Sequence, residues 1–183
     1  MQFFKPKKYP FSMRILHWTM AVIIIGLIIL GFLMGNVLTD EPYTRDLYLW
    51  HKSFGVLALM LIVLRIATRF SLKDKIPALS TMMKKYELMA AKVGHVLLYV
   101  SMVVVPVSGY LMSSAYPKSS GIFLFGIPLP DALPKNEALA QFFTSVHIVS
   151  AYILAALIVG HVAAVIKHRY FDKHRENLLK RIW

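Results

Sequence analysis

Between Val146 and His161 the chain reads Val-His-Ile-Val-Ser-Ala-Tyr-Ile-Leu-Ala-Ala-Leu-Ile-Val-Gly-His. This run sits inside a stretch, residues 138–166, that contains no Asp, Glu, Lys or Arg. About 20 apolar residues suffice to cross a bilayer as a helix, so the stretch predicts a membrane span. His147 and His161 are 14 positions apart, which is about 21 Å of helical rise and within about 40° of the same face. One face of one spanning helix therefore carries two stacked imidazoles, one near each leaflet. A single histidine in a span is explained by an interhelical hydrogen bond, but a pair in this register points to ligands.

Working outward, residues 15–39 and 93–117 also contain no Asp, Glu, Lys or Arg. A further span at about 47–68 is interrupted by Lys52 near one end and Arg65 near the other. Snorkelling or a buried partner accommodates such charges. The expected fold is thus all-α: one integral membrane four-helix bundle over residues 1–183, with spans at about 15–36, 47–68, 93–115 and 142–166. No alternating pattern is sustained in these stretches, so helices rather than a barrel must satisfy the backbone. The run from Ile15 is too long for a signal peptide and lacks an Ala-x-Ala site, which reads as an uncleaved first span.

The composition agrees. The chain is 57% hydrophobic with mean hydropathy +0.59, too apolar for a soluble domain of this size. Its formal net charge is +12, yet the basic residues flank the spans rather than forming a nucleic-acid-binding face. The tail Phe3-Phe4-Lys5-Pro6-Lys7-Lys8, the second connection with Lys73, Lys75, Lys84, Lys85 and Lys92, and the tail from Lys167 to Arg181 lie on the cytoplasmic side by the positive-inside rule. Asp40, Glu41 and Asp46 balance the first connection, and Asp131 and Glu137 the third, so these two face outward. Both termini are expected in the cytoplasm. Trp18, Trp50 and Tyr116 fall near span ends, where aromatic belts form. Pro117, Pro128, Pro130 and Pro134 predict a structured outer cap without a helix.

Cysteine is absent, which excludes disulfides, iron–sulfur ligation and covalent haem attachment. Histidine is left as the metal ligand, and two imidazoles stacked on one span predict two haem groups, each needing a second axial histidine at matching depth. His17 enters the first span from the cytoplasmic side, level with His161. His51 opens the second span from the outside, level with His147. His95 opens the third span near the cytoplasmic side and competes with His17 for the inner iron. Two imidazoles fill the axial positions of haem iron, which favours electron transfer over oxygen binding. Gly26, Gly31, Gly55, Gly109 and Gly160 give room either for the macrocycles or for helix–helix contact.

Arg65 lies 14 residues after His51, on the same stripe at the inner leaflet. A buried guanidinium needs an anion, and haem propionates offer matching two-point geometry. Arg69, one turn on, serves either this site or membrane orientation. His168, about 10 Å beyond His161 on the same face, reaches the cytoplasmic surface, where it either meets a quinone headgroup or propionate or is solvated. His174 is expected to be exposed.

These residues resemble the bacterial cytochrome b561 family, which shares its fold with the cytochrome b subunits of nickel–iron hydrogenases. The marks are Arg14-Ile-Leu-His17-Trp18, Leu49-Trp50-His51-Lys52-Ser53-Phe54-Gly55 with Arg65, Gly94-His95 followed by Pro106-Val-Ser-Gly109, and His147 with Gly160-His161. The resemblance covers nearly the whole chain. It implies two haem b groups ligated by His17, His51, His147 and His161, preferring His17 to His95, and a site for ubiquinone or another quinone at one haem. It implies an inner-membrane protein passing electrons between quinone and an outer-side partner, with superoxide:ubiquinone oxidoreduction as one form. Positive charge should steer superoxide, but the outer connections are balanced or slightly acidic. Two other readings are a haem-bearing anchor for a separate catalytic subunit and a small transporter with a histidine proton relay.

Overall fold

The computed structural model describes residues 8–39, 42–77, 84–171 and 179–183. Residues 3–7 of the basic tail, Asp40, Glu41 and His174 lie outside the described residues. Four long helices carry the fold: α1 (Phe11–Asn36), α2 (Thr44–Ser71), α3 (Lys85–Ala115) and α4 (Glu137–Tyr170). Each is long and apolar enough to cross a membrane. A short 3₁₀ turn, Lys73–Lys75, follows α2, and a four-residue helix, α5 (Leu179–Ile182), ends the chain. The helices extend beyond the apolar stretches because amphiphilic turns continue them into the interface, as at Glu137, where Asn136 caps α4 by accepting from the Leu139 amide at 3.0 Å.

Packing is uneven in a way that matters for function. The helices form two hairpins, α1 against α2 and α3 against α4, and the contacts between the hairpins are sparser. Outward faces are lipid-compatible, with Val22, Val63 and Val159 well exposed. Many of the buried positions are small: Ser53, Ser101, Ser108, Ser113, Ser114, Ala58, Ala115 and Ala140 are buried, as are Met13, Met20, Met34 and Ile62. Small residues let spanning helices approach closely where no water drives them together.

The third connection is a cap, as its prolines suggest, but it contains an antiparallel hairpin, β1 (Ile122–Leu124) with β2 (Ile127–Leu129). Phe125 and Gly126 both have positive φ, 50° and 91°, the conformation that matches a two-residue turn to strand twist. Strands of three residues are too short to show periodicity in the sequence. Ser53 ties this cap to α2 by donating to the Phe123 carbonyl at 2.9 Å and accepting from the Phe125 amide at 3.2 Å. Lys52 donates to the Gly121 carbonyl at 3.0 Å and to Ser119 Oγ at 3.3 Å, so hydrogen bonds to the half-exposed cap accommodate its charge.

At the opposite end the chain termini meet. The Tyr9 amide donates to the Arg181 carbonyl at 2.9 Å, and Trp18 Nε1 donates to the Ile182 carbonyl at 3.1 Å. Both termini therefore share one side, the side that the basic residues assign to the cytoplasm.

Candidate functional site

α4 presents His147 near the cap and His161 two-thirds of the way along toward the termini. His51, near the start of α2, faces His147 with ring centroids 6.3 Å apart. His17, in the second turn of α1, faces His161 at 6.4 Å. Both contacts cross the seam between the two helical hairpins. Among the described residues no group of three or more His, Cys, Asp or Glu side chains gathers as a metal site.

Glycines on the neighbouring helices receive the outer imidazoles. A Cβ on Gly31 of α1 would lie 3.2 Å from Cε1 of His51, and one on Gly109 of α3 would lie 2.9 Å from Cε1 of His147. Only these two of the five glycines considered in the sequence touch a ring; a Cβ at Gly26, Gly55 or Gly160 would meet nothing within 4 Å. His147 Nδ1–H donates to the Val105 carbonyl at 2.8 Å. Because a carbonyl only accepts, this bond fixes the proton on Nδ1 and leaves the Nε2 lone pair for a ligand. His51 differs: its Nδ1 is buried and makes no hydrogen bond.

The inner end is more crowded. His95, on α3, lies beside His161 at 5.5 Å between ring centroids, within one hairpin rather than across the seam. Its Nδ1–H donates to the Ala91 carbonyl at 2.6 Å. Arg65 reaches His17 Nδ1 at 3.1 Å and Tyr99 Oη at 3.3 Å. A guanidinium only donates, so His17 Nδ1 accepts and its proton sits on Nε2. Arg65 thus lies level with His17 and Tyr99 at the end of the bundle where the termini lie. Arg69 lies over the Tyr99 ring, its Cζ 5.8 Å from the centroid, as does that of Arg65.

Tyr99 escaped the sequence reading. The available signal was its place one turn after His95, four residues on and therefore on the same face. His168 is only 7% exposed, which removes the solvated alternative for that side chain. Its neighbour Lys167 pairs with Glu87, joining the cytoplasmic ends of α3 and α4.

Comparison with known proteins now adds to this geometry. Residues 8–183 match the family described as prokaryotic cytochrome b561. The chain is 30% identical over 179 residues to "Cytochrome b561 homolog 2" of Escherichia coli (strain K12), covering 97% of this chain and 92% of that protein. It is 26% identical over 182 residues to "Probable superoxide oxidase CybB" of Yersinia pestis, covering 96% of each. Four apolar helices, imidazoles gathered at two depths and a match over almost the entire length agree, and the chain belongs to the prokaryotic cytochrome b561 family, the haem b electron-transfer proteins that cross the bacterial inner membrane several times.

Proposed function

We propose that this cytochrome holds two haem b groups, one between His51 and His147 and one between His17 and His161, and that it carries electrons between a quinone at the inner end and an outer-side redox partner. The observation that supports this most is the pair of ring separations, 6.3 and 6.4 Å. An imidazole nitrogen binds a metal at about 2.0–2.1 Å, and each ring centre lies just over an ångström further. Two imidazoles opposed across one metal therefore have centres a little more than 6 Å apart. His95 and His161, at 5.5 Å, are closer than that, which supports His17 as the inner ligand.

The residues suit the group in other ways. The unpartnered Nδ1 of His51 and the glycines facing both outer rings are features of imidazoles arranged around something other than protein. Haem held by these histidines would supply reversible one-electron exchange. The chain's own part is to hold the rings, exclude water and provide charge. Gly31 and Gly109 admit the outer imidazoles, and the Val105 carbonyl orients one of them. For His17 Nε2 to bind iron, the Nδ1 contact with Arg65 must be released, which leaves the guanidinium for a propionate.

The quinone pocket is assigned to His95 and His168 with Arg69, and with Arg65 beside them. Because the Ala91 carbonyl holds the Nδ1 proton of His95, its Nε2 is the acceptor that can take a proton from quinol or return it to quinone. Superoxide is the outer partner that the name of the Yersinia pestis relative suggests. Lys52 is engaged by the cap, and Lys135 pairs with Asp131 at 2.7 Å and donates to the Ser114 carbonyl at 2.9 Å. Lys118 is exposed, and among the described lysines near the cap it is placed to attract an anion from solution.

The purified protein should contain two haem b per chain, measured as the pyridine haemochrome against protein mass, and ubiquinol should reduce both anaerobically. A ratio of one, or no b-type spectrum, would overturn the assignment. Superoxide added to oxidised protein in the presence of ubiquinone should yield ubiquinol if it is the outer donor; no reduction would leave a protein partner in that role.

The inner end has its own test. His17→Ala should abolish the low-spin signal of the inner haem, whereas His95→Ala should keep both haems and slow quinone reactivity roughly 10- to 100-fold. Loss of the inner haem from His95→Ala with retention in His17→Ala would exchange their roles.

A further inference from the structure

We infer that residues Val105 to Gly109 of α3 form a positioning device for His147, fixing the nitrogen and the direction that this imidazole offers to the outer haem. The inference rests on His147 being an axial ligand, as proposed above. It adds that α3, which contributes no outer ligand, decides how one of them is held.

Two contacts from one turn of α3 meet on the ring. The Val105 carbonyl accepts Nδ1–H at 2.8 Å, and the backbone at Gly109, one turn on, lies so close that a Cβ there would be 2.9 Å from Cε1 and 3.0 Å from Nδ1. The hydrogen bond needs that approach: any side chain at 109 would occupy the space of the ring edge that reaches Val105. Gly109 is therefore required for close approach, not for turn geometry, because its φ is not among the positive values.

Pro106 and Ser108 flank the same carbonyl. Proline has no N–H and disturbs the preceding turn. Ser108 Oγ lies 2.7 Å from the Val104 carbonyl and 2.9 Å from the Val105 carbonyl, a back-bonding arrangement associated with bent helices. The single hydroxyl proton of Ser108 is shared between the Val104 and Val105 carbonyls, and the Val105 oxygen also accepts the imidazole from α4. Ser108 is buried, at 3% exposure, so water does not compete for this oxygen from that side.

The facing ligand has no such support. His51 is backed by Gly31 at a looser 3.2 Å, and its Nδ1 lacks a partner. The two imidazoles of the outer pair are accordingly unequal, one oriented by a hydrogen bond and the other by packing alone. A hydrogen bond from the remote N–H fixes the tautomer and raises the basicity of a ligating imidazole. His147 is the better donor and the more rigid ring of the pair.

Two measurements test this. In reduced, diamagnetic holoprotein labelled with ¹⁵N-histidine, the Nδ1–H of His147 should exchange with solvent roughly tenfold more slowly than that of His51, as expected for one net hydrogen bond. Equal exchange would overturn the inference without any variant. Gly109→Ala should keep the inner haem unchanged, shift the low-spin ferric EPR signal and potential of the outer haem, and speed its release by roughly 10- to 100-fold, the usual effect of losing an outer-sphere partner. Gly31→Ala should change release without the same EPR shift. If His147→Ala removes one haem while Gly109→Ala leaves the outer signal, potential and release untouched, the positioning role fails and the ligand assignment stands. If His147→Ala retains both haems with unchanged spectra, the ligand assignment itself fails.

Discussion

His147→Ala and His161→Ala should each leave the purified cytochrome with one haem b in place of two. Each substitution removes half of one imidazole pair, and an iron left with a single axial histidine is held mainly by packing. The effect should be confined to one site, since the two positions are 14 residues apart on α4, about 21 Å along the axis. His147→Ala should therefore spare the spectrum of the inner haem, and His161→Ala that of the outer. Haem content per chain and low-temperature reduced-minus-oxidised spectra measure this directly. Circular dichroism checks that the helices persist, so that loss through unfolding is separated from loss of a ligand. Wild-type haem content and spectra in both variants would sink the four-ligand arrangement.

Arg65→Leu should lower the potential of the inner haem and leave the outer one nearly fixed. The guanidinium is anchored on Tyr99 Oη at 3.3 Å beside the His17 ring, so its charge stays near a proposed ligand even once its contact with Nδ1 is released. Removing a positive charge favours the oxidised, more positive state of the iron, which makes reduction harder. At an effective dielectric constant of about 20 and a separation of about 8 Å, one charge contributes about 2 kcal/mol. For a one-electron couple, where about 59 mV corresponds to a tenfold change, this is a fall on the order of 50–100 mV. Lysine should restore only part of it, because a point charge does not reproduce a planar two-point contact. Redox titration and stopped-flow quinone kinetics separate three results. A selective fall at the inner haem supports the assignment. Intact potentials with slow quinone reduction would move Arg65 to the quinone pocket, and no change in either would reduce it to a charge at the interface.

Much of the architecture was legible in one dimension. Hydrocarbon thickness sets the length of each span, and the helical period puts His147 and His161 on one face. The same period, with the basic flanks, gave the depths of His17, His51 and Arg65. Even the cap was signalled by its prolines, although its hairpin was not, because three-residue strands carry no readable alternation.

What the sequence by itself determined, then, was which side chains lie level along the bundle: His51 with His147, and His17, His95 and Arg65 with His161. Depth follows from residue number along a straight helix, so it needs no partner. Only the tertiary structure decided which of those residues meet across the bundle, because the rotation of one helix against another depends on packing along both. His17 and His95 are alike in depth, yet one lies 6.4 Å from His161 across the seam and the other 5.5 Å away within a hairpin. Tyr99 beside Arg65, the burial of His168 and the docking of Trp18 on the chain end are relations of the same kind. The Val105 carbonyl on His147 was the least accessible of all, since every residue carries a carbonyl and the helix around it, not the identity of the side chain, determines which one turns toward a ligand.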